Sequence, residues 1–172
     1  MGGMIMKQVA VIEGNYRYSL IRDWTKEVKQ EQQRRVLFIM LNPSTANAFE
    51  NDQTTQRCIG FAKSFHYTSL EIVNLFAWIS TNWNVVKGMK EEEAIGPKND
   101  EYIKKALNNC DMVIAAWGDE ATSHKSDRLN ELMSLVMNEY KKPIYCLGKT
   151  GIKKQPRHPS RLAKETKLEV FR

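Results

Sequence analysis

Cysteine and histidine are scarce in this sequence, and neither residue is spaced like a set of metal ligands. The three cysteines are Cys58, Cys110 and Cys146. They are widely separated and include no CxxC pair, which excludes a zinc ribbon and gives no sign of a disulfide framework. The three histidines show no HExxH or similar spacing. We therefore expect no metal and no cofactor, and we interpret the cysteines as small core residues.

Long apolar runs are also missing. The longest is VLFIML at 36–41, whereas a membrane helix needs about 20 apolar residues. The N-terminal MGGMIMKQ lacks a basic region followed by an apolar one, and Met6 stands where a myristoylation signal requires Ser or Thr. These absences predict a cytoplasmic protein without a membrane partner. Only nine glycines and five prolines occur in 172 residues, so we expect one globular domain, 1–172.

Positive charge is concentrated at the C-terminal end of the chain. The net charge is +6, yet residues 141–172 hold ten lysines and arginines against two glutamates, while residues 1–140 carry a small negative excess. This asymmetry is typical of a surface that binds a polyanion. A solvated basic tail would give the same pattern.

Apolar runs and their spacing predict an α/β fold. Strands are predicted over 8–13, 16–24, 36–41, 70–76, 112–118 and 143–148. Helices are predicted over 54–66 and 126–140 and around 102–107, with a short one at EEEA. We expect a three-layer α/β/α sandwich with a central, mostly parallel four-stranded sheet in a core at 36–162, plus an N-terminal β-hairpin within 1–25.

Polar residues follow each of the four central strands. They are Asn42-Pro43-Ser44, Asn74, Trp117-Gly118-Asp119, and the segment from Gly148 to His158. In parallel sheets, ligands bind beyond the C-terminal ends of the strands, where the loops converge. The sequence therefore predicts a ligand site at this edge of the sheet.

Along nearly its whole length the chain resembles a bacterial and phage family, domain-of-unknown-function family 1643. The resemblance is carried by FIMLNPSTA, DQTTQRCIGFA (52–62), IVNLFAW, GPKND (96–100), AAWG and RHPSRLA. This family carries no established activity, so the resemblance implies no reaction.

Four motifs over 36–162 also resemble, in order and placement, those of the uracil-DNA glycosylase superfamily. They are LNPS with Asn42 and Pro43, IVNLF with Asn74, AAWG, and HPSRL with His158. The resemblance implies a glycosylase-like fold and hydrolysis of the N-glycosidic bond of a damaged, mismatched or modified base flipped out of DNA. Met40 and Ser44 depart from the usual first motif, and three cysteines are too few for the iron–sulfur branch.

The same resemblance implies roles for single residues. Asn42 orients the attacking water, although its amide cannot accept a proton, so slow hydrolysis is expected. His158 donates to the leaving base, and the Asn74 amide reads the base edge. The remaining candidates for the base pocket are Pro43, Ser44, Phe61 and Trp117, with Phe49 and Phe65 as alternatives to Phe61 for stacking on the base.

The basic C-terminal segment is predicted to bind DNA. Leu162 would be the apolar wedge that fills the gap left by the flipped base, although helix packing explains it equally well. The predicted phosphate contacts are Lys153, Lys154, Arg157, Ser160 and Arg161. Thr54 is interpreted as the N-cap of the first helix, with Asp52 and Arg57 as possible substrate contacts.

The sequence is also compatible with two other functions. One is a catalytically inactive nucleic-acid or nucleotide-binding module on the same fold, which the amide at Asn42 favours. The other is an enzyme that acts on free nucleotides. The basic segment favours a polymeric substrate over a monomeric one.

Overall fold

One seven-stranded sheet organises the computed structural model of the chain, which describes residues 6–123 and 127–172, without the side chain of residue 27. The strands are β1 (Lys7–Glu13), β2 (Tyr16–Asp23), β3 (Arg35–Met40), β4 (Ser69–Asn74), β5 (Met112–Ala115), β6 (Ile144–Cys146) and β7 (Glu169–Val170). Their order across the sheet is β1-β2-β4-β3-β5-β6-β7.

The sheet is larger and more mixed than predicted. The strands β4, β3, β5 and β6 are neighbours and pair in parallel. The hairpin of β1 and β2 does not stand apart, because β2 pairs antiparallel with β4, and β7 adds a further antiparallel strand to β6. The α/β class is confirmed, but the prediction of a four-stranded, mostly parallel sheet is wrong. Covering both edges of that parallel core removes unpaired backbone groups from solvent.

Helices cover both faces of the sheet. In the described residues they are α1 (Gln53–Ser64), α2 (Trp83–Lys87), α3 (Glu91–Ile95), α4 (Asn99–Asn108) and α5 (Arg128–Ser134). A π-helical turn, Leu135–Glu139, continues α5. The helix predicted over 126–140 therefore changes from α-helical to π-helical geometry at Leu135. Residue 126 lies outside the described residues. Short 3-10 turns occur at Thr25–Glu27, Gln30–Gln32, Asp119–Thr122 and Pro159–Arg161.

The core divides into two clusters because side chains alternate along each strand. In β3, Leu37 and Ile39 belong to the cluster beneath α4 and α5, while Val36 and Phe38 belong to the cluster beneath α1. A strand buried on both faces requires a continuous apolar run, which is the pattern of VLFIM. The three free cysteines are all buried in these clusters.

The C-terminal ends of the four parallel strands lie at one edge of the sheet, and the start of β2 joins them there. Since β2 runs antiparallel to β4, its first residues lie beside the end of β4: Arg17 N donates to Ala77 O at 3.0 Å, and Tyr16 bridges Trp78. This edge therefore receives side chains from five strands.

Residues 6–123 and 127–172 contain neither a membrane-spanning helix nor a cluster of metal-ligating side chains. None of the helices there has the length and apolar character needed to cross a membrane. The same residues contain no group of three or more His, Cys, Asp or Glu side chains that could hold a metal ion. His124, one of the three histidines, lies outside these residues.

Candidate functional site

Two adjoining cavities lie at the C-terminal edge of the parallel strands. The small cavity has a volume of about 70 Å³ and is lined by Arg17, Met40, Asn42, Ser44, Asp52, Thr54, Thr55, Ile72, Asn74 and His158. The large cavity, of about 300 Å³, is lined by Met40, Leu41, Asn42, Trp117, Gly118, Asp119, Glu120 and His158. Both include Asn42 and His158, so the structure brings most of the predicted pocket residues to one place.

Two hydrogen bonds from the side-chain amide of Asn42 to backbone carbonyls fix the position of this side chain. Its Nδ2 donates to Ser80 O at 2.9 Å and to Pro43 O at 3.1 Å. Both amide hydrogens are thus engaged by backbone carbonyls, and Oδ1 is the atom left to accept a hydrogen bond from a ligand or water. Pro43 is buried, and its carbonyl oxygen accepts a second hydrogen bond, from Ser80 N at 2.9 Å.

Asn74, the last residue of β4, presents an unsatisfied amide to the small cavity. Its side chain is 2% exposed, and Nδ2 has no hydrogen-bond partner among the described residues. A buried donor left without a partner costs about 1–3 kcal/mol. The Asn74 backbone is fixed from behind by Asn99, whose Nδ2 donates to Asn74 O at 3.0 Å. This arrangement leaves a donor of Asn74 without a partner among the described residues at the small cavity.

His158 precedes a 3-10 turn, and its ring accepts a hydrogen bond from that turn. Ser160 N donates to His158 Nδ1 at 3.3 Å, and Ser160 Oγ lies 2.8 Å from the same nitrogen. A backbone N–H can only donate, so this geometry assigns the proton of the neutral ring to Nε2. Desolvation by the surrounding protein lowers the pKa of His158 below 6.5, and the charge of Asp52 opposes this shift. His158 is thus a neutral donor at pH 7.

The loop that carries His158 is attached to the end of β5. Trp117 Nε1 donates to Gln155 Oε1 at 3.1 Å, Gly118 N donates to Pro156 O at 2.9 Å, and Thr150 Oγ1 donates to Asp119 Oδ1 at 2.6 Å. Gly118 has a φ of +72°, which favours glycine at this turn. Trp117 is buried against Phe171 and forms a wall of the large cavity.

The start of α1 differs from the prediction. Asp52, not Thr54, is the N-cap: its Oδ1 accepts from Thr55 N at 2.7 Å. Asp52 and Thr54 both line the small cavity, whereas Arg57 and Phe61 line a separate surface pocket of about 500 Å³ on α1. The structure does not bring Phe61 to the predicted base pocket, because its position on α1 turns it into the core, where its ring stacks on Phe65.

The assignment of Leu162 as an exposed wedge is corrected. Leu162 is 4% exposed and packs in the core cluster beneath α1, so it serves to hold the 159–161 turn against the body of the protein. The exposed apolar side chain of this region is Ile152, which is 95% exposed. The predicted phosphate contacts lie at the surface as expected of such contacts: Lys153, Lys154, Arg157 and Arg161 are exposed and Ser160 is half-buried.

Arg17 is the charged lining residue of the small cavity that sequence reasoning missed. It is 4% exposed, its Nη1 donates to Ala46 O at 3.0 Å, and its Nε has no partner among the described residues. Burial lowers the pKa of Arg17 to about 10, with the charge of Asp52 acting in the opposite direction, so the guanidinium stays protonated at neutral pH. The signal available in the sequence was a charged residue inside the otherwise apolar alternation YRYSL.

The family described as Protein of unknown function (DUF1643) matches residues 17–160. The chain belongs to this family. The match includes every residue that lines the small cavity, from Arg17 to His158. The chain has no match among the curated proteins or among the solved structures.

The titration of His158 tests the electrostatics of this family site. We expect the His158 ring to protonate only below pH 6.5, because desolvation disfavours the charged form. Asp52→Asn keeps an N-capping side chain but removes the charge that supports the imidazolium, so it should lower the pKa further. NMR titration of the histidine Cε1–H signals, with His158→Gln for assignment, measures both values.

The same shift has a defined consequence for stability. Below pH 6.5 the unfolded chain binds a proton at His158 that the folded chain does not, so this group makes folding less favourable as the pH falls towards its folded pKa. A His158 pKa above 6.5, or an upward shift in Asp52→Asn, would contradict the assignment.

Proposed function

We propose that the protein hydrolyses the N-glycosidic bond of a damaged, mismatched or modified base that is flipped out of DNA. The observation that carries the proposal is the meeting of Asn42, Asn74 and His158 in one cavity. Asn74 ends β4, and the other two lie in the loops after β3 and β6. The Asn74 Nδ2 is buried there without a partner among the described residues. The motif resemblance to uracil-DNA glycosylases supports the same reading.

Each group has a chemical task in this proposal. The amide of Asn74 binds an acceptor on the edge of the base. Nε2–H of His158 donates to the departing base, whose ring nitrogen takes the electron pair of the broken bond to C1′. Oδ1 of Asn42 orients a water for attack on C1′. Asn42 cannot take the water proton, and Asp52 is the carboxylate that lines the same cavity. A base occupies the small cavity together with the adjoining large one.

The surface around the cavities fits a polyanion. The exposed lysines and arginines of 149–161 neutralise phosphates on either side of the flipped nucleotide. An apolar side chain must fill the gap that the base leaves in the stack, and Ile152 has the exposure that Leu162 lacks. The wedge role therefore passes to Ile152.

The proposal is tested with duplex oligonucleotides that carry uracil, a thymine mismatch, hypoxanthine or a phage-type modified pyrimidine. We expect alkali-sensitive abasic sites with at least one of these bases. His158→Ala should reduce the single-turnover rate by about 10²–10³-fold, which is the cost of removing one donor to a developing negative charge. His66→Asn is the matched control, since His66 is exposed, lies in a different pocket and has a positive φ that asparagine tolerates.

The outcomes separate the candidate functions. Ile152→Ala should slow excision from a duplex more than excision from a single strand, because only the duplex has a stack to fill. Salt-dependent DNA binding without base release by any substrate would contradict the enzyme and favour the binding module, which the amide at Asn42 already suits. Cleavage of free nucleosides without DNA binding at low salt would favour the nucleotide enzyme.

A further inference from the structure

A buried arginine from the N-terminal hairpin faces the small cavity. In β2 the pairing with β1 shifts by one residue, since Val11 pairs with Ser19 and Ile12 with Arg17, leaving Tyr18 outside the register. Such a bulge redirects the side chains that precede it. Arg17 therefore shares a face with Leu20, although the two lie three positions apart in the strand, and Leu20 pairs with Ile72 of the cavity wall.

The guanidinium of Arg17 forms no ion pair within the described part of the chain. No carboxylate of the described residues lies within 4.0 Å of it, and Nε makes no hydrogen bond. Burying a charged group without a partner is costly, so proteins retain such groups where something else compensates them. Asn74 Nδ2 is a second unpartnered donor in the same cavity. Two buried donors that find no acceptor among residues 6–123 and 127–172 indicate a ligand that brings acceptors.

We propose that Arg17 is a catalytic residue that binds an acceptor atom of the flipped base and stabilises the negative charge that the base acquires as it leaves. The inference rests on the proposed function, which assigned this task to His158 alone. When the C1′–N bond breaks, its electron pair passes to the base and spreads over the ring nitrogen and its conjugated oxygens. The water oxygen bonds to C1′, and the water proton goes to Asp52. A fixed cation in a site shielded from solvent favours this charge more strongly than a neutral donor does.

Leaving-group dependence distinguishes this role from a structural one. Duplexes with uracil and with 5-fluorouracil present the same shape but bases of different acidity. Without Arg17 the negative charge on the departing base is stabilised less, and the more acidic base tolerates this better. We therefore expect Arg17→Gln to slow uracil release by about 10²–10³-fold. The reduction in the rate of 5-fluorouracil release should be at least tenfold smaller. Arg17→Lys, which keeps a cation, should recover part of the uracil rate. Arg34→Gln, at an exposed arginine that precedes β3 at the opposite edge of the sheet, should leave both rates unchanged.

A second measurement makes the inference testable apart from hydrolysis. Binding of free uracil and 5-fluorouracil to the protein is measured by calorimetry, with folding of each variant checked by circular dichroism. We expect Arg17→Gln to weaken binding at least tenfold. If binding weakens in this way but no duplex is cleaved, the proposed hydrolysis and the catalytic part of the Arg17 role fail, while binding of the base by Arg17 stands. Equal loss of both excision rates, unchanged base binding in folded Arg17→Gln, or no binding of either base by the wild-type protein would each overturn the role of Arg17.

Discussion

Replacing Asn74 with leucine should abolish nucleobase binding and, at the same time, raise the free energy of unfolding by about 1–2 kcal/mol. The amide is buried at the end of β4, and its Nδ2 has no partner in the part of the chain that the structure describes. The folded state therefore bears a desolvation cost that leucine, of similar shape, does not. Binding depends on the same donor, which is why the two effects have opposite signs. Urea unfolding and calorimetric titration with a free base measure them.

Asn99→Leu is the matched control for this prediction. Asn99 is also buried, but its Nδ2 donates to Asn74 O at 3.0 Å and to Leu75 O at 3.2 Å. Leucine there removes donors that the fold uses, and we expect the free energy of unfolding to fall by about 1–2 kcal/mol. If both substitutions destabilised the protein equally, Asn74 would be a structural residue. The main evidence that the small cavity binds a ligand would then be lost.

The parallel part of the sheet is predictable because its physical requirements are local. A strand covered on both faces needs a largely apolar sequence. VLFIML meets that requirement throughout, and LEIVNLF meets it except at Glu71 and Asn74. The convergence of Asn42, Asn74 and His158 follows from the same rule, since the C-terminal ends of parallel strands meet at one edge. Site residues at the ends of such strands, or in the loops that follow them, can therefore be predicted without the structure.

The residues that were misjudged depend on contacts between distant parts of the chain. Arg17 reaches the cavity only because β2 pairs antiparallel with β4 and its pairing with β1 shifts by one residue, and neither feature leaves a periodic signal. The wedge assignment of Leu162 failed because the Pro159–Arg161 turn directs that side chain into the cluster beneath α1. The two-residue strand β7 is too short to show alternation.

Replacing Arg22 with methionine should lower the free energy of unfolding by about 3 kcal/mol and loosen the loop that leads to Asp52. Arg22 is fully buried in β2, and its guanidinium holds the loop at three oxygens: Nε donates to Asn51 Oδ1 at 2.7 Å, and Nη2 donates to Asn47 O at 2.5 Å and to Glu50 O at 3.3 Å. Methionine fills part of the volume but donates to none of these oxygens.

The loosened loop gives this prediction a readout beyond stability. Phe49, which is 89% exposed, lies within the tethered segment, so limited chymotrypsin digestion should cut after it faster in Arg22→Met than in the wild-type protein. Arg34→Met removes an exposed arginine and should change the unfolding free energy by less than about 0.5 kcal/mol. Equal proteolysis of Arg22→Met and wild type would mean that the loop is held without the arginine. In that case the position of Asp52, which lines the small cavity, would be fixed only by its capping hydrogen bond at the start of α1.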